Sequence, residues 1–295
     1  MRIFFPTFAF VLIGSSLTLA GDTDWMSRIS DEVRLSSLTI PGTHNSAALR
    51  EPLAGTARCQ SLTLSEQLAA GVRFFDLRCC HQQDEFHIYH GPISQNLSFE
   101  AVLQTMRSFL RKHPRESLIV SIKQEHRPQG NSRSFSQTLQ AYIEQQPQAW
   151  YREAAIPRLG DVRGKMVLLS RFQAAGPLGI PATDWGHDGR HEGTTLFVQD
   201  RFEIPDAETK WKIIRRALED SLKESNRDRL HLHFTSGYRS GPLGMPNITA
   251  ISTPINQRLN NYLKKAPHRR HGCLVLDFIT PDLAQAIYQL NFPSP

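Results

Sequence analysis

The chain has 295 residues, a formal net charge of +6 and 40% hydrophobic residues, enough to bury one large core or two small ones. No segment beyond the first twenty residues has the apolar length to cross a bilayer, and no linker, repeat or low-complexity tract divides the chain. The positive residues are scattered rather than interleaved with aromatics, which argues against nucleic-acid binding; the densest cluster, residues 263–271, reads as a solvated turn.

In chain order, Arg2 precedes an apolar stretch, Ile3 to Leu19, broken by Pro6 and Gly14 and closed by the small residues Ala20 and Gly21. A secretory signal peptide over residues 1–20 is expected, because the apolar run is too short and interrupted for a span. No cysteine follows the cleavage point, so a lipid anchor is not indicated. Residues 21–295 then form one secreted catalytic domain, extracellular or periplasmic. Strands are predicted at Ser37–Ile40, Arg73–Arg78, Glu85–Tyr89, Ser117–Ile122, Met166–Leu169, Thr195–Gln199, Leu230–Phe234 and Cys273–Asp277. Helices are predicted at Leu64–Ala70, Ser98–Lys112, Ser134–Gln145, Ala207–Glu224, Pro254–Lys265 and Pro281–Gln289. The second helix repeats its apolar residues every three to four positions, from Phe99 through Val102, Leu103, Met106, Phe109 and Leu110.

Strands alternating with helices indicate a parallel α/β sheet. Polar residues recur at or just after many separate strand ends: His44, Asp76 and Arg78, His90, Lys123 and Glu125, Arg171, Asp200 and Asp277. A closed barrel gathers all its strand C-termini at one mouth, whereas an open doubly wound sheet uses a single crevice. No glycine-rich phosphate loop follows the first strand. The expected fold is a single irregular TIM (β/α) barrel of the α/β class.

Two imidazoles and a guanidinium suit phosphodiester cleavage without a metal. One histidine takes a proton from the attacking hydroxyl, the other gives one to the leaving oxygen, and the arginine holds the phosphate charge. His44 alone would more often be an ordinary cap; His90 and Arg78 at matching strand ends make it a catalytic candidate. Asp76 can equally be a structural partner of Arg78, and Asp277 a buried hydrogen-bond anchor. His187, His191 and His233 read as structural or surface residues. Cys59, Cys79, Cys80 and Cys273 permit disulfides in an exported chain, with three pairings; a bridge from Cys59 to Cys79 or Cys80 is left open. No cysteine or histidine spacing suggests a metal site.

The ordered motifs IPGTHNS, GVRFFDLR, YHGP, SLIVSIKQE, RGKMVLLSRF, LFVQDRF and LVLDFI resemble the X domain of bacterial phosphatidylinositol-specific phospholipase C, over roughly residues 30–290. The resemblance implies cleavage of phosphatidylinositol to diacylglycerol and a cyclic inositol phosphate. It implies His44 as base oriented by Asp277, His90 as acid, and Arg78 on the phosphate with Asp76 assisting. Lys123, Arg171 and Asp200 would bind inositol, and Phe202 stands where the family has a tyrosine. Asn45 replaces the aspartate common in bacterial members, which removes a charge from the acid histidine. Arg78 stands where calcium-dependent members carry an acidic residue, so no metal or other cofactor is expected.

The substrate partner would be phospholipid at a membrane surface, met by a monomer. The loop after Gly237, with Leu243, Met245 and Ile248, and the helix at Trp211 offer apolar side chains for that surface, or for packing. Other readings are a barrel phosphodiesterase acting on another headgroup or a glycerophosphodiester, and a non-catalytic lipid- or glycan-binding barrel.

Overall fold

The computed structural model describes residues 22–293; the expected signal peptide lies outside them. The main strands are β1 Thr39–Thr43, β2 Phe74–Gln82, β3 Glu85–His90, β4 Ile93–Ser98, β5 Leu118–Gln124, β6 Met166–Arg171, β7 Gly189–Glu192, β8 Leu196–Asp200, β9 Leu230–Phe234 and β10 Gly272–Leu276. The helices are α1 Leu64–Ala69, α2 Phe99–Lys112, α3 Phe135–Glu144, α4 Ala207–Ser221, α5 Thr249–Leu263 and α6 Pro281–Tyr288. One curled sheet runs in the order β6-β5-β2-β1-β10-β9-β8-β7. Its neighbours are parallel except β7, which is antiparallel to β8, and the β3–β4 hairpin that extends β2.

The curl makes an α/β barrel of the TIM type, and the irregularity is a seam: β6 and β8 do not pair. Strand alternation sorts the side chains into two layers. On β2, Phe74 faces the apolar interior with Ile40, Ile119, Val167, Val198, Leu232 and Val275. Phe75, Leu77 and Cys79 face outward, packed with the apolar faces of α2, α4 and α5. The same period therefore aims Asp76 and Arg78 inward above Phe74. Trp25 and Met26, both fully buried, close the opposite end. There Arg73 and Glu116 form a buried ion pair at 2.8 Å.

Expected and observed elements differ at instructive places. Pro41–Gly42 reads as a turn signal, yet both residues sit inside β1, two positions beyond the predicted strand start. Gly42 is needed for close approach, since a Cβ there would lie 2.9 Å from Phe74 Cβ. Helix α5 begins five residues before Pro254, which sits within its second turn. That proline removes one backbone donor without ending the helix. Ser98 and Ser134 cap α2 and α3, one residue outside the helices proper.

All four cysteines are free, buried thiols. The Cys59 bridge is not formed because the partners face different layers. Cys59 packs with Ala48 and Ile248 at the mouth, Cys79 faces the helices, and Cys80 Sγ points to the Arg127 carbonyl.

Candidate active site

His44 follows β1 immediately, in a turn where Asn45 takes a left-handed backbone (φ 40°), a conformation asparagine accepts more readily than most residues. The His44 N–H still donates to Leu276 of β10 at 2.9 Å, which fixes the histidine in register with the strand that ends at Asp277. His44 Nδ1 lies 2.7 Å from Asp277 Oδ1, and Arg78 Nη2 lies 2.7 Å from His44 Nε2. A carboxylate accepts and a guanidinium donates, so Nδ1 carries the proton and the Nε2 lone pair faces the mouth. That is the tautomer a general base requires.

Arg78 is a three-way fork. Besides His44, it donates from Nε to Asp76 Oδ2 at 3.1 Å and places Nη1 3.7 Å from Glu125 Oε1. Asp76 also accepts the Asn45 N–H at 3.1 Å. Burial alone would raise the Asp76 carboxyl, but Arg78 and Arg171 hold it well below the usual range. Glu125 behaves alike: Arg78 and Lys123 outweigh burial and bring it down to about 2. These acids stay ionised and keep the guanidinium charged.

His90 ends β3. Its ring stands edge to face with His44, centroids 6.3 Å apart, near enough for one phosphodiester to touch both. Its Nδ1 donates to the Ala57 carbonyl at 2.5 Å, and Cys59 Sγ lies 3.8 Å from the same nitrogen. Burial, then the neighbouring Arg78 charge, lowers its pKa to about 4. The Asn45 side chain is buried with neither of its polar atoms bonded. It contributes its backbone N–H to Asp76, while a backbone carbonyl serves His90 where a carboxylate would add charge.

The four residues expected to bind substrate divide into groups. Phe202 lines the cleft shared with His44, His90, Arg78, Asp277 and Tyr238. Lys123 is tied to Glu125 at 2.8 Å with its side chain 32% exposed. Arg171 and Asp200 meet across the seam at 3.3 Å, with the Arg171 guanidinium 3.6 Å above the Trp185 ring. Trp185 Nε1 donates to the same Asp200 oxygen at 3.1 Å, and Arg171 Nη1 is buried without a partner. Sequence reasoning placed Glu125 at a strand end without giving it a role. It missed Trp185, Tyr238 and the Ala57 carbonyl, which come from loops without periodic signal.

One group among the described residues could present three atoms to a cation: His44, Cys59 and Asp277, within 4.8 Å of one another. The donor set does not fit. Burial pushes the Cys59 thiol well above its ordinary value, so it is not a thiolate, and the Arg78 cation already contacts His44.

Fold and site define an α/β-barrel enzyme whose mouth is arranged for proton transfer beside a fixed cation. Residues 33–172 match the family described as phosphatidylinositol-specific phospholipase C, X domain. A 1-phosphatidylinositol phosphodiesterase of Listeria monocytogenes is 32% identical over 268 residues, covering 86% of this chain and 80% of the relative. The solved phosphatidylinositol-specific phospholipase C of that organism superimposes with a TM-score of 0.74 at 28% identity, over 92% of this chain and 99% of the other. A structure of the Staphylococcus aureus phosphatidylinositol-specific phospholipase C shares the fold, with a TM-score of 0.81 at 24% identity over 92% of this chain and 98% of the other. The chain belongs to the phosphatidylinositol-specific phospholipase C family.

Proposed function

We propose that this enzyme cleaves phosphatidylinositol, or a glycosyl-phosphatidylinositol, to diacylglycerol and a cyclic inositol phosphate. The observation that carries this is His44 held between Asp277 and Arg78, with His90 facing it across one cleft. His44 Nε2 takes the proton of the inositol 2-hydroxyl as its oxygen bonds to phosphorus. Protonated His90 gives its proton to the glycerol oxygen as that P–O bond breaks. Arg78 shifts from His44 onto the phosphate oxygens, and Asp76 and Glu125 hold its fork. A bound phosphodiester anion beside His90 offsets the Arg78 charge and favours the protonated ring. Lys123, Arg171 and Asp200 are the headgroup ligands in this scheme, and Phe202 stacks on the ring without offering a hydroxyl.

The reaction is proposed to need no metal, because Arg78 supplies a cation where one would be bound. Phosphorus NMR of phosphatidylinositol vesicles should show the cyclic phosphate forming at an unchanged rate in excess EDTA. Turnover lost to EDTA and restored by Ca²⁺ would refute metal independence, and no phosphate product at all would refute the activity.

No described helix is long and apolar enough to cross a membrane, and the substrate is proposed to be met peripherally by an exported protein. Leu243 is 96% and Leu53 52% exposed, with Met245 at 40%. Their loops are joined by the Ile248 N–H on the Gly55 carbonyl at 3.0 Å, beside the cleft. Two residues suggested by sequence do not share this rim: Ile248 is buried, and Trp211 packs on Tyr262. Immersing a leucine contributes about 1.5–3 kcal/mol. The double change Leu53→Ser, Leu243→Ser is therefore expected to weaken vesicle binding at least about tenfold. Hydrolysis of a soluble short-chain substrate should stay within about twofold; equal loss on both substrates would refute the rim.

A further inference from the structure

A short loop segment, Ala57 to Gln60, touches both halves of the acid–base pair. Gln60 is fully buried and all of its side-chain bonds go to the base half. Its Nε2 donates to the His44 carbonyl and to the Leu276 carbonyl, both at 2.8 Å. Its Oε1 accepts the Ile279 N–H at 3.3 Å. The amide thus brackets both sides of the His44–Asp277 contact: the residue bearing the imidazole, and the residues before and after the strand end that bears the carboxylate. The Cys59 carbonyl adds a further tie, accepting the Phe278 N–H at 2.7 Å.

The same segment reaches the acid half. The Ala57 carbonyl accepts the His90 Nδ1–H hydrogen bond, and Cys59 Sγ lies 3.7 Å from that carbonyl oxygen and 3.8 Å from His90 Nδ1. The segment itself is pinned, since the Cys59 and Gln60 N–H groups both donate to the Ala48 carbonyl, at 2.9 and 3.1 Å. The chain from Ala48 to His44 is only four residues long. His44, Asp277 and His90 therefore share one strut, although they come from three separate strands.

We infer that Ala57–Gln60 is a positioning strut, in which the Gln60 amide sets the His44–Asp277 contact and Cys59 with the Ala57 carbonyl sets His90. The inference rests on His44 and His90 being the base and the acid. Neither Gln60 nor Cys59 needs to touch substrate. A glutamine suits the task because it has two N–H donors and one carbonyl, and the site presents two carbonyls and one N–H. A proton-transfer geometry must be held to a fraction of an ångström, so loss of the amide should act on turnover rather than on affinity.

The test is Gln60→Met, which keeps length and volume but removes every hydrogen bond, measured as full-length mature enzyme on phosphatidylinositol vesicles and by proton NMR of the His44 Nδ1–H signal. Expected is a kcat lower by about 10- to 100-fold with KM within about twofold, and a displaced or broadened His44 signal. Unchanged kcat, or lost activity with an unmoved His44 signal, would overturn the inference. Should Gln60→Met not fold, Cys59→Ser carries the test: the His90 ring signals should shift while those of His44 stay in place, and unmoved His90 signals overturn it. An inactive wild-type enzyme would instead count against the functional assignment, because both NMR signatures can be read without turnover.

Discussion

His44→Leu is expected to lower kcat on phosphatidylinositol by about 10⁴-fold, with the far-ultraviolet spectrum and melting profile little changed. The ring is mostly buried against Phe234, centroids 6.1 Å apart, and leucine fills similar apolar space. What disappears is the acceptor for the attacking hydroxyl's proton, a contribution of about 10²–10⁴ by itself, together with the imidazolium that the Asp277 carboxylate orients and stabilises. Asp277→Asn is the graded counterpart. Asp277 accepts from His44 through Oδ1 and from the Gly237 N–H through Oδ2 at 3.3 Å. An asparagine has one carbonyl for those two donors, so its NH₂ must face one of them. Either His44 changes tautomer or the Gly237 contact is lost, and a drop of about 10³-fold is expected. Steady-state rates on vesicles decide both; more than a tenth of wild-type turnover in His44→Leu would sink the base assignment.

Arg78 should show the second large effect, and its two parts separate by substitution. Arg78→Lys keeps the charge but replaces a fork over Asp76, His44 and Glu125 by a single point. A loss of about 10²–10³ in kcat is expected from poorer contact with the developing phosphate charge. Arg78→Met removes the charge as well. Asp76 and Glu125 then face each other's field in a buried site, a cost of roughly 3–5 kcal/mol, readable as a lower melting temperature. The pH dependence has a definite sign. In the wild type both carboxyls are held below their unfolded values, so their contribution is full at neutral pH and lost as pH falls below about 4. In Arg78→Met burial is opposed only by the remaining Arg171 and Lys123 charges, the carboxyls rise, and their protonation then costs the folded state less. The melting deficit of Arg78→Met should therefore shrink between pH 7 and pH 5; a deficit that grows would show that Arg78 does not offset these acids.

The residues legible in the sequence were those whose position follows from strand period. Asp76 and Arg78 lie two apart on β2, so they share the inward face; the same parity carries Lys123, Arg171, Asp200 and Asp277 to the mouth. His44 was legible because one strand end and a tight turn suffice to place it. The partners of His90 were not, since a backbone carbonyl at Ala57 leaves no trace in residue type. Asn45 read as a departure in charge, whereas its observed work is a left-handed turn and a backbone N–H for Asp76. Trp185 and Leu53 belong to long connections whose return to the barrel depends on tertiary packing. Strand β1 runs past Ile40 although Pro41–Gly42 carries a turn signature, because parallel pairing with β10 overrides it. The open seam could not be inferred either, because strand count and alternation are the same for a closed ring.

That seam has a mechanical consequence. The seam between β6 and β8 is spanned at the mouth by Arg171 reaching Asp200, with Trp185 wedged against both. A headgroup gripped by Arg171 and Asp200 together would act as a clamp across the opening, replacing a missing row of backbone hydrogen bonds by side-chain ones. Headgroup affinity and stiffness of the barrel would then draw on the same free energy. A poorly matched sugar would leave the ring slack, and selectivity would be felt as misalignment of His44 and His90 as well as weaker binding.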